Sequence, residues 1–135
     1  MYSIENRIGR LLEIRVDRPF TADEAVEMSY AIPSTVKRMR GQFVGCADFS
    51  RITIFPPDAV NALISSMMQV NARLERTAIL IADSPVFDLQ VKRLITSGGI
   101  RRRRSFTSSA ELRQYLYEVL NAEEQARLAA FLSKT

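Results

Sequence analysis

Hydrophobic and polar positions along this chain recur every second residue in some stretches and on helical spacing in others, and the changes of period mark out the elements. Leu12, Ile14 and Val16 alternate with Glu13, Arg15 and Asp17, the pattern of a strand buried on one face only. Ser3–Arg7 before it, across a turn at Ile8-Gly9-Arg10, predicts an antiparallel hairpin. Thr21 and Glu24 then read as a capping box. Ala22, Ala25, Val26, Ser29, Ile32, Val36 and Met39 hold one helical face through Arg40. Pro33 should kink that helix or split it in two, and Gly41 ends it.

Phe43–Ala47 reads as the next strand. From Pro57, a stripe of Val60, Leu63, Ile64, Met67, Val70 and Leu74 predicts a helix through about Glu75. Thr77–Ala82 is nearly continuous in apolar residues, as a strand covered on both faces requires. Ser84-Pro85 reads as the cap and first position of a third helix, which turns Phe87, Val91, Leu94 and Ile95 inward and stops at Gly98-Gly99. A short strand, Arg102 to Phe106, precedes a second capping box, Ser108 with Glu111. The helix it opens carries Leu112, Tyr115, Leu116, Val119 and Leu120, and Asn121 with Glu124 starts a last helix through Leu132. Strands alternating with helices after a hairpin predict an α/β domain with a mixed, mainly parallel sheet of four or five strands under four to five helices.

Composition narrows the chemistry. At 135 residues the chain is long enough for one domain that buries roughly two thirds of its unfolded surface. It contains no histidine, which removes the usual general base and the commonest metal ligand. Cys46 is the single cysteine, and its place in a strand gives it a small buried role, so zinc and papain-like chemistry are set aside. No catalytic residue, cofactor or metal is expected. Glu5, Arg7 and Arg10 interrupt any leader-like apolar run, and no stretch approaches the roughly 20 residues of a membrane span. The expectation is a cytoplasmic protein.

The stretch richest in functional signals is Asp48-Phe49-Ser50-Arg51-Ile52-Thr53-Ile54-Phe55-Pro56-Pro57-Asp58, leading from a buried strand to the entrance of an amphipathic helix. A helix entrance has unpaired N–H groups and favours an anion. Asp48, Ser50, Pro56, Pro57 and Asp58, with Asn61 and Met68 on the helix that follows, are the candidate partner-binding residues. Helix opening by Pro57 and Asp58 is the plain alternative, and for Asp58 it comes first.

That order of elements, together with three local patterns, resembles the STAS domain of anti-sigma factor antagonists and sulphate-transporter tails. The first pattern is Phe43–Asp48-Phe49-Ser50; the second is Ile52-Thr53-Ile54-Phe55 running into Pro56-Pro57-Asp58. The third is Arg93-Leu94-Ile95-Thr96-Ser97-Gly98-Gly99-Ile100 through Phe106 and the Ser108/Glu111 cap. The likeness covers about residues 1–120, with 121–135 as an added helix of the same domain that packs on the body or against a second copy. It implies a non-enzymatic regulatory module whose partner is an anti-sigma factor or kinase-like regulator. Phosphorylatable family members show Asp-Ser-Ser-Gly where this chain has Pro56-Pro57-Asp58-Ala59, so the resemblance puts Asp58 at the phosphate acceptor. There it is either a fixed mimic of phosphoserine or a sign that control has moved elsewhere.

The other constellations are weaker. Arg101, Arg102, Arg103 and Arg104 form a candidate anion site, but in a strand alternate arginines face opposite ways, and a charged edge guards against strand pairing. Without a phosphate loop or aromatic ladder, and with a formal net charge of only +4, nucleic acid is not the expected partner. Asp48, Asp58 and Asp83 fall at strand ends or helix starts, where they form an acidic rim or a Mg²⁺ site or serve as turn and cap residues, the last being the expected role. Met68 and Asn71 lie off the apolar stripe, at the rim of the core or on a partner surface. The competing function is a small-ligand or anion-binding domain that holds a nucleotide or lipid headgroup with the strand-end carboxylates or the arginine run.

Overall fold

The structure is a computed structural model that describes residues 1–99 and 102–134. A five-stranded sheet runs in chain order, β1 (Tyr2–Glu5), β2 (Leu11–Val16), β3 (Phe43–Phe49), β4 (Leu74–Ile81) and β5 (Arg103–Phe106). The first pair is antiparallel and the other three pairs are parallel, so the expected α/β class and mixed sheet are present. The helices are α1 (Ala22–Arg38), α2 (Ala59–Val70), α3 (Pro85–Ser97), α4 (Ser109–Tyr117) and α5 (Ala122–Leu132).

Local chemistry opens most of these helices. Thr21 and Glu24 make the reciprocal box at α1, and Asn121 and Glu124 do the same at α5. Ser84 and Ser108 accept from the Phe87 and Glu111 N–H groups at α3 and α4. Pro33 leaves α1 as one helix rather than two. The helix expected through Glu75 ends at Val70: a single 3-10 turn, Asn71–Arg73, follows, and Leu74 already begins β4. Leu74 continues the helical spacing from Val70, and an apolar residue serves strand and stripe equally well.

Three crossover helices, α1, α2 and α3, cover one face of the sheet, where Leu12, Ile14, Phe43, Ala47, Phe49, Ile79 and Ile81 point. The other face presents Leu11, Val44, Cys46, Ala78 and Leu80 to Leu112, Leu116, Leu120, Leu128, Phe131 and Leu132 of the α4–α5 segment. The added segment therefore packs, through α5, on the domain's own sheet. β2 is covered on both sides, and Glu13, expected in solvent, is 2% exposed. Among the described residues, no helix is long and apolar enough to cross a membrane.

Candidate functional site

The loop between β3 and α2 is fastened from below. Ile52 and Phe55 are buried, and Phe55 meets Phe49, Phe87 and Phe20 edge-on at ring distances of 5.4, 4.8 and 6.5 Å. Its backbone is held to α3 as well: the Phe55 N–H donates to Gln90 Oε1 at 2.9 Å, and Gln90 Nε2 donates back to the Phe55 carbonyl. With those anchors inward, Thr53, Ile54, Pro57 and Asp58 turn outward.

Asp58 occupies the position before α2, but its carboxylate makes no bond to the helix N–H groups, so the expected cap is not formed. The residue is exposed, and the segment before it is irregular rather than strand. Asn61 and Met68 also lie on the outer side of α2. Pro56 is half-buried beside the exposed Pro57.

Asp48 is a correction. It is fully buried, where Arg15 Nε donates to it at 3.0 Å and the Ser50 N–H and hydroxyl donate at 3.0 and 2.6 Å. A docking protein does not reach that carboxylate, and Ser50 is turned toward it. Asp48 therefore stands apart from any acidic rim, and no three acidic or thiol groups converge among the described residues. Cys46, in the same covered strand, has its thiol pushed up first by burial and then by Asp48 and Glu13.

The arginine run alternates as a strand dictates. Arg102 donates to the Leu74 carbonyl at 2.8 Å, and Arg104 lies 5.0 Å over the Tyr115 ring. Arg103 points the other way and is only 5% exposed, which corrects the expectation of a solvated edge at that position. Arg101 lies outside the described residues.

Sequence reasoning missed most of the exposed apolar surface. Val26 (expected inward), Tyr30, Ile54, Met68, Val86 and Leu89 are all at least 41% exposed, and Leu89 and Tyr30 reach 69% and 72%. Among the described residues, six of the seven large exposed hydrophobics thus lie on the α1–α3 layer or the loop that feeds it; the seventh is Met1, and none is on α4 or α5. The signal was available for α3: Val86 and Leu89 sit three apart and off the stripe of Phe87, Val91 and Leu94. No protein-family model, curated protein or solved structure matches this chain.

Proposed function

We propose that this chain is a non-enzymatic protein-interaction module of a bacterial-type regulatory system. It docks a partner protein on the outer side of the α1–α3 layer and on the loop carrying Ile54 and Asp58. The observation that carries this reading is the one-sided surface: among the described residues, every large exposed apolar side chain beyond Met1 belongs to that layer and its loop. A rigid loop strengthens it, because a segment pinned through Phe55 loses little freedom on binding. In this reading Asp58 stands where switchable STAS modules carry serine, and the partner is an anti-sigma factor or kinase-like regulator. An exposed carboxylate not engaged as a cap is available for that contact.

The test begins with capture of the partner from the native host and continues with the purified pair in a titration. Asp58→Ser should change affinity by about tenfold, upward if the fixed charge is repulsive and downward if a cation of the partner meets it. Thermal stability should stay unchanged. An affinity that stays the same removes Asp58 from the interface and ends the mimicry idea. A partner whose binding is insensitive to charge introduced at Leu89 and Met68 overturns the docking surface itself.

A further inference from the structure

Under α2, between the helix layer and the sheet, lies a cavity of about 70 Å³. Its floor is a single register row across four strands, Leu12, Gly45, Thr77 and Arg103. Ala47 in the next row adds only a methyl group beneath α2. A Cβ at position 45 would stand 2.8 Å from Thr77 Oγ1, so glycine there is what lets the threonine occupy the floor. At the rim, a Cβ on Gly98 would come within 2.9 Å of Met67 Cε and 3.4 Å of Arg103 Nη1. Two glycines therefore keep space beside the polar groups.

Those polar groups are incompletely matched. Ser66 lies on the inner side of α2, 1% exposed, and its hydroxyl has no hydrogen-bond partner among the described residues. Arg103 donates from Nη1 to Asn71 Oδ1 at 2.7 Å and from Nη2 to the Met67 carbonyl at 3.1 Å. Those bonds place the cation at the α2 C-terminus, which favours positive charge. They engage two of its five N–H donors, and among the described residues no carboxylate pairs with it. Burial pushes its pKa down to about 10, so it remains a cation at neutral pH. A buried cation without a counter-charge, lining the same cavity as an unpaired hydroxyl and, Thr77 apart, an apolar wall, is a binding arrangement lacking its anion.

We propose that this cavity binds a short-chain aliphatic monocarboxylate, with its carboxylate on Arg103 and Ser66 and its alkyl body against Ile14, Leu63 and Ile79. The size follows from the volume: about half of the roughly 150 Å³ cavity that holds a benzene, hence a body of about two to four carbons. Met28 and Met67 in the wall give it some room to adapt. Inorganic phosphate fits poorly, because it brings more charge than one guanidinium balances and no apolar body for the wall. The site is interior and does not depend on the docking surface proposed above.

Butyrate, with n-butanol and inorganic phosphate as controls, tests this on the full chain by methyl-resolved NMR and thermal shift. Butyrate should move the Met28, Met67 and Leu63 methyl signals saturably and raise the melting temperature by mass action. Butanol and phosphate should do neither. Arg103→Met should weaken binding at least about tenfold, and Ser66→Ala by a smaller factor. If Arg103→Met does not fold, Ala47→Leu, which fills the space, should abolish the butyrate response instead. Unmoved methyl signals, or equal responses to butyrate and butanol, overturn the proposal and leave the cavity to water. So does a butyrate response that persists in Ala47→Leu.

Discussion

The two faces of the sheet are sealed by different chemistry. On the α5 side, Arg127 grips Glu13 with two bonds of 2.7 Å, and Arg15 bridges Asp48 to the Phe131 carbonyl while lying 4.1 Å over the Phe131 ring. Glu124, 1% exposed, accepts from the Arg10 and Asn121 N–H groups at 2.7 and 2.9 Å. Gly9 serves that bond twice: its φ is +54°, and a Cβ there would meet Glu124 Oε2 at 2.4 Å. On the other side, α1, α2 and α3 rest mainly on aliphatic and aromatic contacts around a void, with few side-chain bonds from the sheet itself, those of Arg103 chief among them. Directional bonds fix α5 in one orientation, whereas apolar packing leaves the α1–α3 layer free to carry exposed hydrophobics and internal space.

Charge is engaged inward more than the composition suggests. Arg73 donates to the Val36, Met39 and Gly41 carbonyls at the end of α1, Arg76 to Tyr115 near the end of α4, and Arg103 to Met67 near the end of α2. Arginine reaches helix carbonyls that lack partners and favours the dipole there. The surplus of basic residues is therefore largely a structural device, and a net charge of +4 understates how little of it is offered to a polyanion.

The largest expected effect breaks the locked face. Arg127→Met leaves Glu13 buried without its partner and should cost about 3–5 kcal/mol in urea unfolding. Adding Glu13→Leu should recover most of that loss, because an apolar pair of similar volume replaces the ion pair. A single variant that costs no more than about 1 kcal/mol would mean that the pair behaves like a surface bridge, and the contrast between the faces would collapse.

A second effect on the same face follows pH. Burial alone would raise the Glu124 pKa, but the Arg10 and Asn121 N–H groups and the Arg10 guanidinium outweigh it and hold the carboxyl below its ordinary value. A folded-state pKa that is lowered stabilises the protein above the unfolded value and loses that contribution as pH falls through the folded value. Stability should therefore decline in acid below about pH 4.5, and Glu124→Gln should flatten the decline while lowering stability at neutral pH. Melting curves across that range check both. An identical acid profile in the variant would remove Glu124 as its source.

What the sequence made legible divides along the same line. The strands, the capped helix starts and the α/β order followed from periodicity, since Thr21/Glu24 and Asn121/Glu124 are local chemistry. Burial of polar strand positions was not legible. Glu13 and Arg15 have the alternation of a solvated face and Asp48 reads as an exposed strand end, and only the arrival of α5, distant in sequence, covers them. The loop at Ser50–Asp58 was legible as a strand-to-helix junction, but the direction of each side chain depended on Phe55 reaching α3. The cavity was invisible, because Gly45, Ser66, Thr77 and Arg103 meet only through sheet register and helix placement.

The apolar face offers a smaller effect of opposite sign. In ligand-free protein, Ser66→Ala removes a buried hydroxyl that has no partner and should stabilise by about 1 kcal/mol, as the loss of an unsatisfied group implies. Destabilisation of similar size would show that the hydroxyl is already satisfied, by cavity water for example, and would weaken the contrast between a fully bonded face and an incompletely bonded one.

The smallest effects on stability carry the functional half of the comparison. Leu89→Asp and Met68→Asp change exposed side chains of the α1–α3 layer, while Gln114→Asp places the same charge on the exposed side of α4. All three should shift stability by no more than about 0.5 kcal/mol, because none disturbs a packed or bonded group. Partner binding should separate them: an aspartate within an apolar contact must be desolvated without a counter-ion, whereas one on α4 stays in water. Titration of the three variants against the captured partner reads the difference directly. Equal binding by all three would remove the α1–α3 layer as the contact surface, and a loss confined to Gln114→Asp would assign the partner to the α4–α5 side, where the ion pairs on β2 and β3 would then be a brace for the contact surface above them.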